Sequence, residues 1–209
     1  EIEIAQEIEK FGKKVGADAL AFDPIVAWGP NAAAPHHFSS NKKIRHGNFL
    51  LLDFGFLIKG YHSDFTRTLF IGHPDKKQEK VYNAVLEAQR RAIEKVKVEA
   101  RASEVDKAAR EYIDQGDWQK YFTPTPSVRG GLVRGFTHNT GHGVGLEIHE
   151  LPNFSTKSED VLRSGMVVTV EPGIYIEKWG GVRIEDMVIV GKQSRVMSKA
   201  PKDLKSMII

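Results

Sequence analysis

Residues 136–152, FTHNTGHGVGLEIHELP, place three histidines, His138, His142 and His149, among three glycines and two glutamates. Imidazole can ligate a metal, carry a proton near neutral pH, or fill a polar gap in a core. His138 and His142 stand one helical turn apart, but Gly141, Gly143 and Gly145 argue against a helix, where each costs about 1 kcal/mol relative to alanine. A loop running into a strand fits better, with glycine permitting close approach of the backbone to something beside it. Alone, the stretch leaves all three uses of histidine open.

Carboxylates extend the pattern. Asp53 follows the apolar FLLL and Glu171 follows MVVTV. An acid at the end of an apolar strand is costly to bury unless it is paired or binds a cation. Either one singly reads equally as a strand-end acid turned to solvent or a salt-bridge partner. However, FLLLDFGFLIKGYHSDFTRT and MVVTVEPGIYIEKWGGVRIED each run strand, acid, glycine-containing turn and second acid, giving Asp53 with Asp64 and Glu171 with Glu185. Two pseudo-symmetric β-halves would bring all four to one axis. Converging carboxylates repel, so a positive charge must sit among them. Four carboxylates and one imidazole suit Mn²⁺, Co²⁺ or Zn²⁺, and that much charge suits two ions better than one. Two ions about 3.5–4 Å apart can share a water, lower its pKa and polarise a carbonyl.

The elements that must position these residues follow from periodicity. Ile4, Ile8, Phe11 and Val15 predict an amphipathic helix ended by Gly16. ADALAF reads as a short strand followed by irregular chain through Pro24, Gly29, Pro30 and Pro35. NFLLLDFGFLIKGYHSDFTRTLFIG predicts a strand, a tight hairpin near Gly60 and a second strand. A helix from about Asp75 to Val96 carries the stripe Val81, Val85, Ala88, Ala92, Val96. A second runs from Ser103, where SEVD resembles a capping box, to near Gly116, burying Val105, Ala108, Ala109, Tyr112 and Ile113. TPTPSVRGGLVRG reads as an exposed loop, and the last third as β-rich. Helices clustered apart from hairpin-linked strands predict an α+β protein of one domain, 1–209.

Composition narrows the classes further. The chain has no cysteine, which excludes disulfides and thiolate metal sites. No apolar run approaches the roughly 20 residues of a membrane span, and no signal-peptide pattern opens the sequence. The net charge is +3, with basic and acidic residues interleaved along the helices. That is the pattern of solvated helix faces rather than of a nucleic-acid surface. The expectation is a cytoplasmic protein with no nucleic-acid or membrane partner. The chain opens at Glu1 directly in a helical pattern, as expected of a segment cut from a longer protein with an upstream domain.

Together, LLDFGFLIKGYHSDFTRT, TGHGVGLEIHELP, VEPGIY and GGVRIED resemble the pita-bread metallopeptidases: methionine aminopeptidase, aminopeptidase P, prolidase and creatinase. The resemblance covers nearly the whole chain, with the motifs in the family's order and spacing. It implies a pita-bread fold, two pseudo-symmetric halves with a curved antiparallel sheet backed by helices. It also implies that an amino-terminal creatinase-like domain is absent here and the first helix of the fold truncated. Carried over, the five metal ligands are Asp53, Asp64, His142, Glu171 and Glu185, holding two divalent ions, Mn with Co or Zn as alternatives. Asp53 would hold one ion, Asp64 and Glu185 would bridge, and His142 and Glu171 would complete the other. By the same resemblance Glu171 is general base on the bridging water. His36 is the substrate-side histidine, and His149 steadies the scissile peptide and its tetrahedral intermediate. His138 and Tyr175 shape a proline pocket, and Arg183 is an active-site arginine. Thr66 and Arg67 read as support for the ligands or as ordinary strand residues; His37, His46, His62 and His73 read as surface or structural.

EPGIY and GGVRIED resemble the Xaa-Pro branch, which implies a proline-containing peptide substrate and a homodimer. FDPIVAWGPNAAAPHH is closer to the compact microbial prolidases, a lean towards dipeptidase, with aminopeptidase P as the alternative. A non-catalytic peptide-binding module on the same fold is the alternative of another class. The segment around Pro124–Arg134 is longer and more basic than the family pattern, so it reads as a surface insertion, a lid, or an arginine-bearing loop facing a substrate carboxylate.

Overall fold

The structure, a computed structural model, describes residues 1–121, 125–126, 132–133 and 136–209. Helix α1 (Ile2–Lys14) leads into β1 (Ala19–Leu20), β2 (Ile25–Trp28) and a 3-10 turn over Gly29–Ala33. Strands β3 (Asn48–Phe54), β4 (Phe56–Ile58), β5 (Tyr61–His62) and β6 (Phe65–Ile71) follow, then helices α2 (Lys76–Lys95) and α3 (Ala102–Gln115). After the short pair β7 (Thr125–Pro126) and β8 (Leu132–Val133) come β9 (Gly141–Gly143), β10 (Glu150–Phe154), β11 (Val167–Val170) and β12 (Gly173–Ile176). Strands β13 (Gly180–Arg183), β14 (Asp186–Ile189) and β15 (Arg195–Val196) close the chain. All named strands pair antiparallel, in the orders β2-β3-β6, β1-β4-β5, β10-β9-β11-β14-β15, β12-β13 and β7-β8. This is the α+β, pita-bread architecture the sequence predicts.

The internal echo is a real duplication of geometry. In one half β3 pairs with β6, placing Asp53 opposite Thr66, and the β4–β5 hairpin joins them. In the other half β11 pairs with β14, placing Val170 opposite Asp186, and β12–β13 joins them. Alternation along a strand sends successive side chains to opposite faces. Val168, Val170 and Val188 bury against the helices, so Glu171 and Glu185 face the other way. The same alternation puts Asp53, Asp64 and Thr66 on one face of β3 and β6. The halves are stitched at that face: the Glu185 amide donates to the Thr66 carbonyl at 3.2 Å, and the Thr68 hydroxyl to the Arg183 carbonyl at 2.9 Å.

Helices α2 and α3 cover the far side of the sheets. The predicted stripe Val81, Val85, Ala88, Ala92 and Val96 is buried throughout, as are Val105, Ala109 and Ile113. Asp75 caps α2 reciprocally with Gln78, a true capping box. No helix among the described residues is long and apolar enough to cross a membrane.

Four local expectations are corrected. Phe11 and Val15 on α1 are 58% and 56% exposed; the helix buries Gly12 instead, where the Phe56 ring leaves no room for a Cβ. Residues 25–28, expected irregular, form β2 on the edge of β3, flanked so tightly by Pro24 and Gly29 that only four residues pair. The predicted single hairpin is two nested pairs, because the chain bends at Gly55, where a Cβ would sit 1.9 Å from the Ser63 carbonyl. Finally, SEVD does not cap α3, which begins at Ala102 without a side-chain cap. Asp106 of that motif is buried and bonded elsewhere. The lid and arginine-loop readings of residues 124–134 lie outside the described residues, apart from the β7–β8 pairing.

Candidate metal centre and its surroundings

Asp53, Asp64, His142, Glu171 and Glu185 all line one cavity of about 860 Å³. His142 sits in β9, whose glycines answer the question raised by the sequence. A Cβ on Gly141 would lie 2.0 Å from the Thr169 carbonyl, and one on Gly143 would lie 2.3 Å from the Leu151 carbonyl. The strand threads between β10 and β11 too closely for any side chain, and the His142 amide donates to the Thr169 hydroxyl at 3.1 Å.

The His142 ring is set for ligation. Its Nδ1 lies 2.9 Å from the Gly143 carbonyl, an acceptor only, so Nδ1 carries the proton and Nε2 is left facing the acids. Nε2 lies 3.5 Å from both Asp64 Oδ2 and Glu171 Oε1. One ligand atom each from Asp64, His142 and Glu185 lies within 4.8 Å of the others. Burial alone would lower the pKa of this imidazole, but Asp64 and Glu171 outweigh it and raise it. Conversely, burial raises the carboxyl of Asp53, with Arg183 opposing and Asp64 reinforcing. It raises Glu185 well above the ordinary range, reinforced by Asp64 and Glu171. Glu171 is pushed up to about 7, again by burial first, with His142 and Arg183 opposing.

Two buried oxygens in this cluster, Asp53 Oδ1 and Glu185 Oε1, have no hydrogen-bond partner among the described residues. Buried polar atoms are nearly always paired, and these two orphaned oxygens lie on side chains that line the same cavity as the Nε2 of His142. A hard or borderline divalent cation satisfies them, and its charge relieves the mutual repulsion that raises the carboxyls. The donor set therefore fits the metals that the resemblance implies. The other oxygen of each of these two carboxylates is held by protein: Thr66 Oγ1 donates to Glu185 Oε2 at 2.7 Å, and Arg183 Nη2 to Asp53 Oδ2 at 2.5 Å. Such outer bonds fix the orientation of a ligand.

His36, His138, His149 and Arg183 also line the cavity. Arg183 is 3% exposed and its remaining donors reach Tyr175 Oη at 2.8 Å, the Pro35 carbonyl at 3.3 Å and Thr66 Oγ1 at 3.3 Å. The Tyr175 hydroxyl accepts from Arg183 and donates onward to His138 Nε2 at 2.8 Å, because His138 Nδ1 is committed to the Asn139 carbonyl. Tyr175 thus stands behind the wall rather than on it. Burial drops the His138 pKa to about 3, with Arg183 assisting, so this ring is neutral at working pH. His36 is lowered by burial and then by Arg183, and His149 by burial and then by His142, whose ring it meets edge-on at 4.4 Å. Phe22, Ile25, Phe38 and Leu151 give the cavity an apolar side.

Two sets of residues around the site carried no recognisable pattern in the sequence. Glu1 is 6% exposed and accepts from the Trp28 amide (2.7 Å), Asn31 Nδ2 (2.9 Å), His37 Nε2 (3.0 Å), and both the amide (3.0 Å) and hydroxyl (2.6 Å) of Ser40. It anchors the irregular segment that presents His36 and gives His37 its structural role. Behind Glu185, Asp186 is paired with Arg67 at 2.7 Å and Lys202 at 2.5 Å, and accepts from Gln89 at 3.1 Å. Both sets link residues far apart in the chain, which periodicity cannot reveal. His62 bonds the Gly145 carbonyl, as a structural residue would.

Residues 1–192 match the model of metallopeptidase family M24. The chain is 43% identical over 205 residues to an Xaa-Pro dipeptidase of Pyrococcus horikoshii, covering 98% of this chain and 54% of that protein. It is similar in structure to an Xaa-Pro dipeptidase of Bacillus anthracis (TM-score 0.88, 45% identity, 100% of this chain and 55% of that one). A likeness to an X-Pro aminopeptidase of Thermotoga maritima has the same TM-score of 0.88 at 35% identity, covering 100% of this chain and 55% of that one. The chain thus spans about half the length of the curated relatives it matches. By its motifs, its fold and the family model that matches nearly all of it, this chain belongs to metallopeptidase family M24.

Proposed function

We propose that this chain carries the catalytic site of an Xaa-Pro peptidase dependent on two divalent ions, with a preference for dipeptides. The observation that supports it most is the convergence of four carboxylates and one correctly tautomerised imidazole on a cavity, with two of their oxygens buried and unpartnered. The relatives at 43–45% identity are called Xaa-Pro dipeptidases, and those called Xaa-Pro or X-Pro aminopeptidases stand at 35–41%.

Asp53, Asp64, His142, Glu171 and Glu185 would hold the ions, manganese first among the candidates. When bound, these supply Lewis acidity, lowering the pKa of water and polarising a carbonyl. The chain's own residues do the rest. Glu171, on the cavity wall with Oε1 3.5 Å from His142 Nε2, is the carboxylate placed for general-base work. It takes a proton from water as the water oxygen attacks the carbonyl carbon. His149 is kept neutral, so an imidazole N–H can donate to the carbonyl oxygen as negative charge develops there. The carbon–nitrogen bond then breaks, and Glu171 returns its proton to the proline nitrogen. His36, also neutral and beside Arg183, is placed to orient the substrate. A bond to proline has no N–H and a fixed φ, so a site that reads it cannot depend on that donor; here an apolar cavity wall and His138 take its place.

The test is hydrolysis of an Xaa-Pro dipeptide and an Xaa-Pro-Xaa tripeptide by metal-stripped protein, with and without Mn²⁺, beside Glu171→Ala. Metal-dependent cleavage, faster on the dipeptide and abolished in the variant, is the expected result. Cleavage of neither peptide by protein that binds no metal would favour a peptide-binding module.

A further inference from the structure

Residues 136–140 carry His138 into the cavity and lead to His142, yet they belong to no helix or strand. At one end the Thr140 amide donates to the Phe154 carbonyl of β10 at 3.0 Å, and further contacts that hold them come from α3. Asp106 and Arg110 lie one turn apart on α3, on the far side of this segment from the cavity. Asp106 is fully buried. Its carboxylate accepts from Arg110 Nε at 2.9 Å and Nη2 at 2.8 Å, and from the hydroxyl of Thr140 at 2.8 Å and its amide at 3.2 Å. Arg110 spends its remaining donors on the carbonyls of Phe136 and His138, each at 2.9 Å, and its guanidinium lies over the Phe136 ring at 4.6 Å. The Thr140 carbonyl in turn accepts the Glu171 amide at 2.7 Å.

From these contacts we infer that Asp106 and Arg110 are positioning residues for the cavity. The pair clamps the backbone of residues 136–140 and so sets where His138 stands. The chemistry of the pair fits that role. Two carbonyls that no strand satisfies need donors in a fixed plane, which a guanidinium supplies and an ammonium does not. A buried guanidinium in turn needs a carboxylate against it. Neither residue touches the cavity's reacting groups, so their effect passes through His138 and through the Thr140–Glu171 bond.

The inference rests on the peptidase reading only for its kinetic arm. In that arm, Arg110→Lys and Asp106→Asn are each combined with His138→Ala and assayed on an Xaa-Pro peptide. Arg110→Lys alone should lower kcat/KM roughly tenfold, as loss of a bond to a charged group does. In the His138→Ala background the same change should cost clearly less than it does in the wild type, since part of its effect passes through His138. Full additivity of the two losses would overturn the inference. The second arm needs no activity: amide hydrogen exchange of metal-free protein. The Glu171 amide, which donates to the Thr140 carbonyl, should exchange faster in either variant while those of β3 do not change. Unchanged protection at Glu171 would overturn it. If the wild-type protein cleaves no Xaa-Pro peptide, the peptidase reading fails and exchange alone decides the clamp. Should Arg110→Lys unfold, Asp106→Asn carries both arms.

Discussion

Arg183 touches Asp53, Tyr175, Thr66 and the carbonyl beside His36, and through Tyr175 it reaches His138. One guanidinium therefore orients the Asp53 carboxylate, a cavity wall and the loop opposite. Removing the middle of that chain should be felt at its end. Tyr175→Phe leaves His138 Nε2 without its donor, and a buried unsatisfied group costs about 1–3 kcal/mol. Steady-state kinetics should show kcat/KM falling about tenfold or more, and the melting temperature should fall as well, since that cost is also one to the fold. Glu1 offers a prediction on pH. Its carboxyl is lowered to about 2: burial acts upward, but Ser40, Trp28 and His37 hydrogen bonds outweigh it. Because the folded value lies below the ordinary 4.5, the stabilisation is complete above that pH and is lost as pH falls towards 2. Melting curves of wild type and Glu1→Gln should differ clearly at pH 7 and converge on acidification; a gap independent of pH would contradict the assignment.

Among the elements, β9 shows what sequence alone could and could not give. Its glycines and histidines signalled close approach to something, and the acids that follow FLLL and MVVTV signalled convergence. What lay beside the glycines was illegible, since Thr169 and Leu151 are distant in the chain. Gly141→Ala forces the β9 and β11 backbones apart and should cost about 3 kcal/mol, at the upper end of overpacking; urea unfolding of metal-free protein measures it. Helix α1 was legible as a helix but not in its orientation, because periodicity ranks Phe11 above Gly12 whereas the Phe56 ring selects the glycine. The SEVD pattern fails for a similar reason: Asp106 bonds Arg110 on its own helix and Thr140, a partner 34 residues away that a short window does not contain. The roles of the four acids and of the histidines came from the resemblance, and the geometry that brings them to one cavity came only with the fold.

At the scale of the molecule, two similar β-halves each bring a pair of acids to a shared face, and Thr66 with Arg67 binds one half to Glu185 and Asp186 of the other. Without cations this arrangement buries carboxylates against one another. A cation bound to the folded state alone stabilises it by mass action, about 2.7 kcal/mol per site at a hundred times Kd. Chelation should therefore lower the melting temperature and Mn²⁺ restore it in a concentration-dependent way, as calorimetry would record. The two-ion site is tested most directly by counting divalent ions per chain by elemental analysis in wild type and Asp53→Ala. Two are expected for the wild type and at most one for the variant. No bound ion in the wild type, or the same count in both proteins, would contradict it.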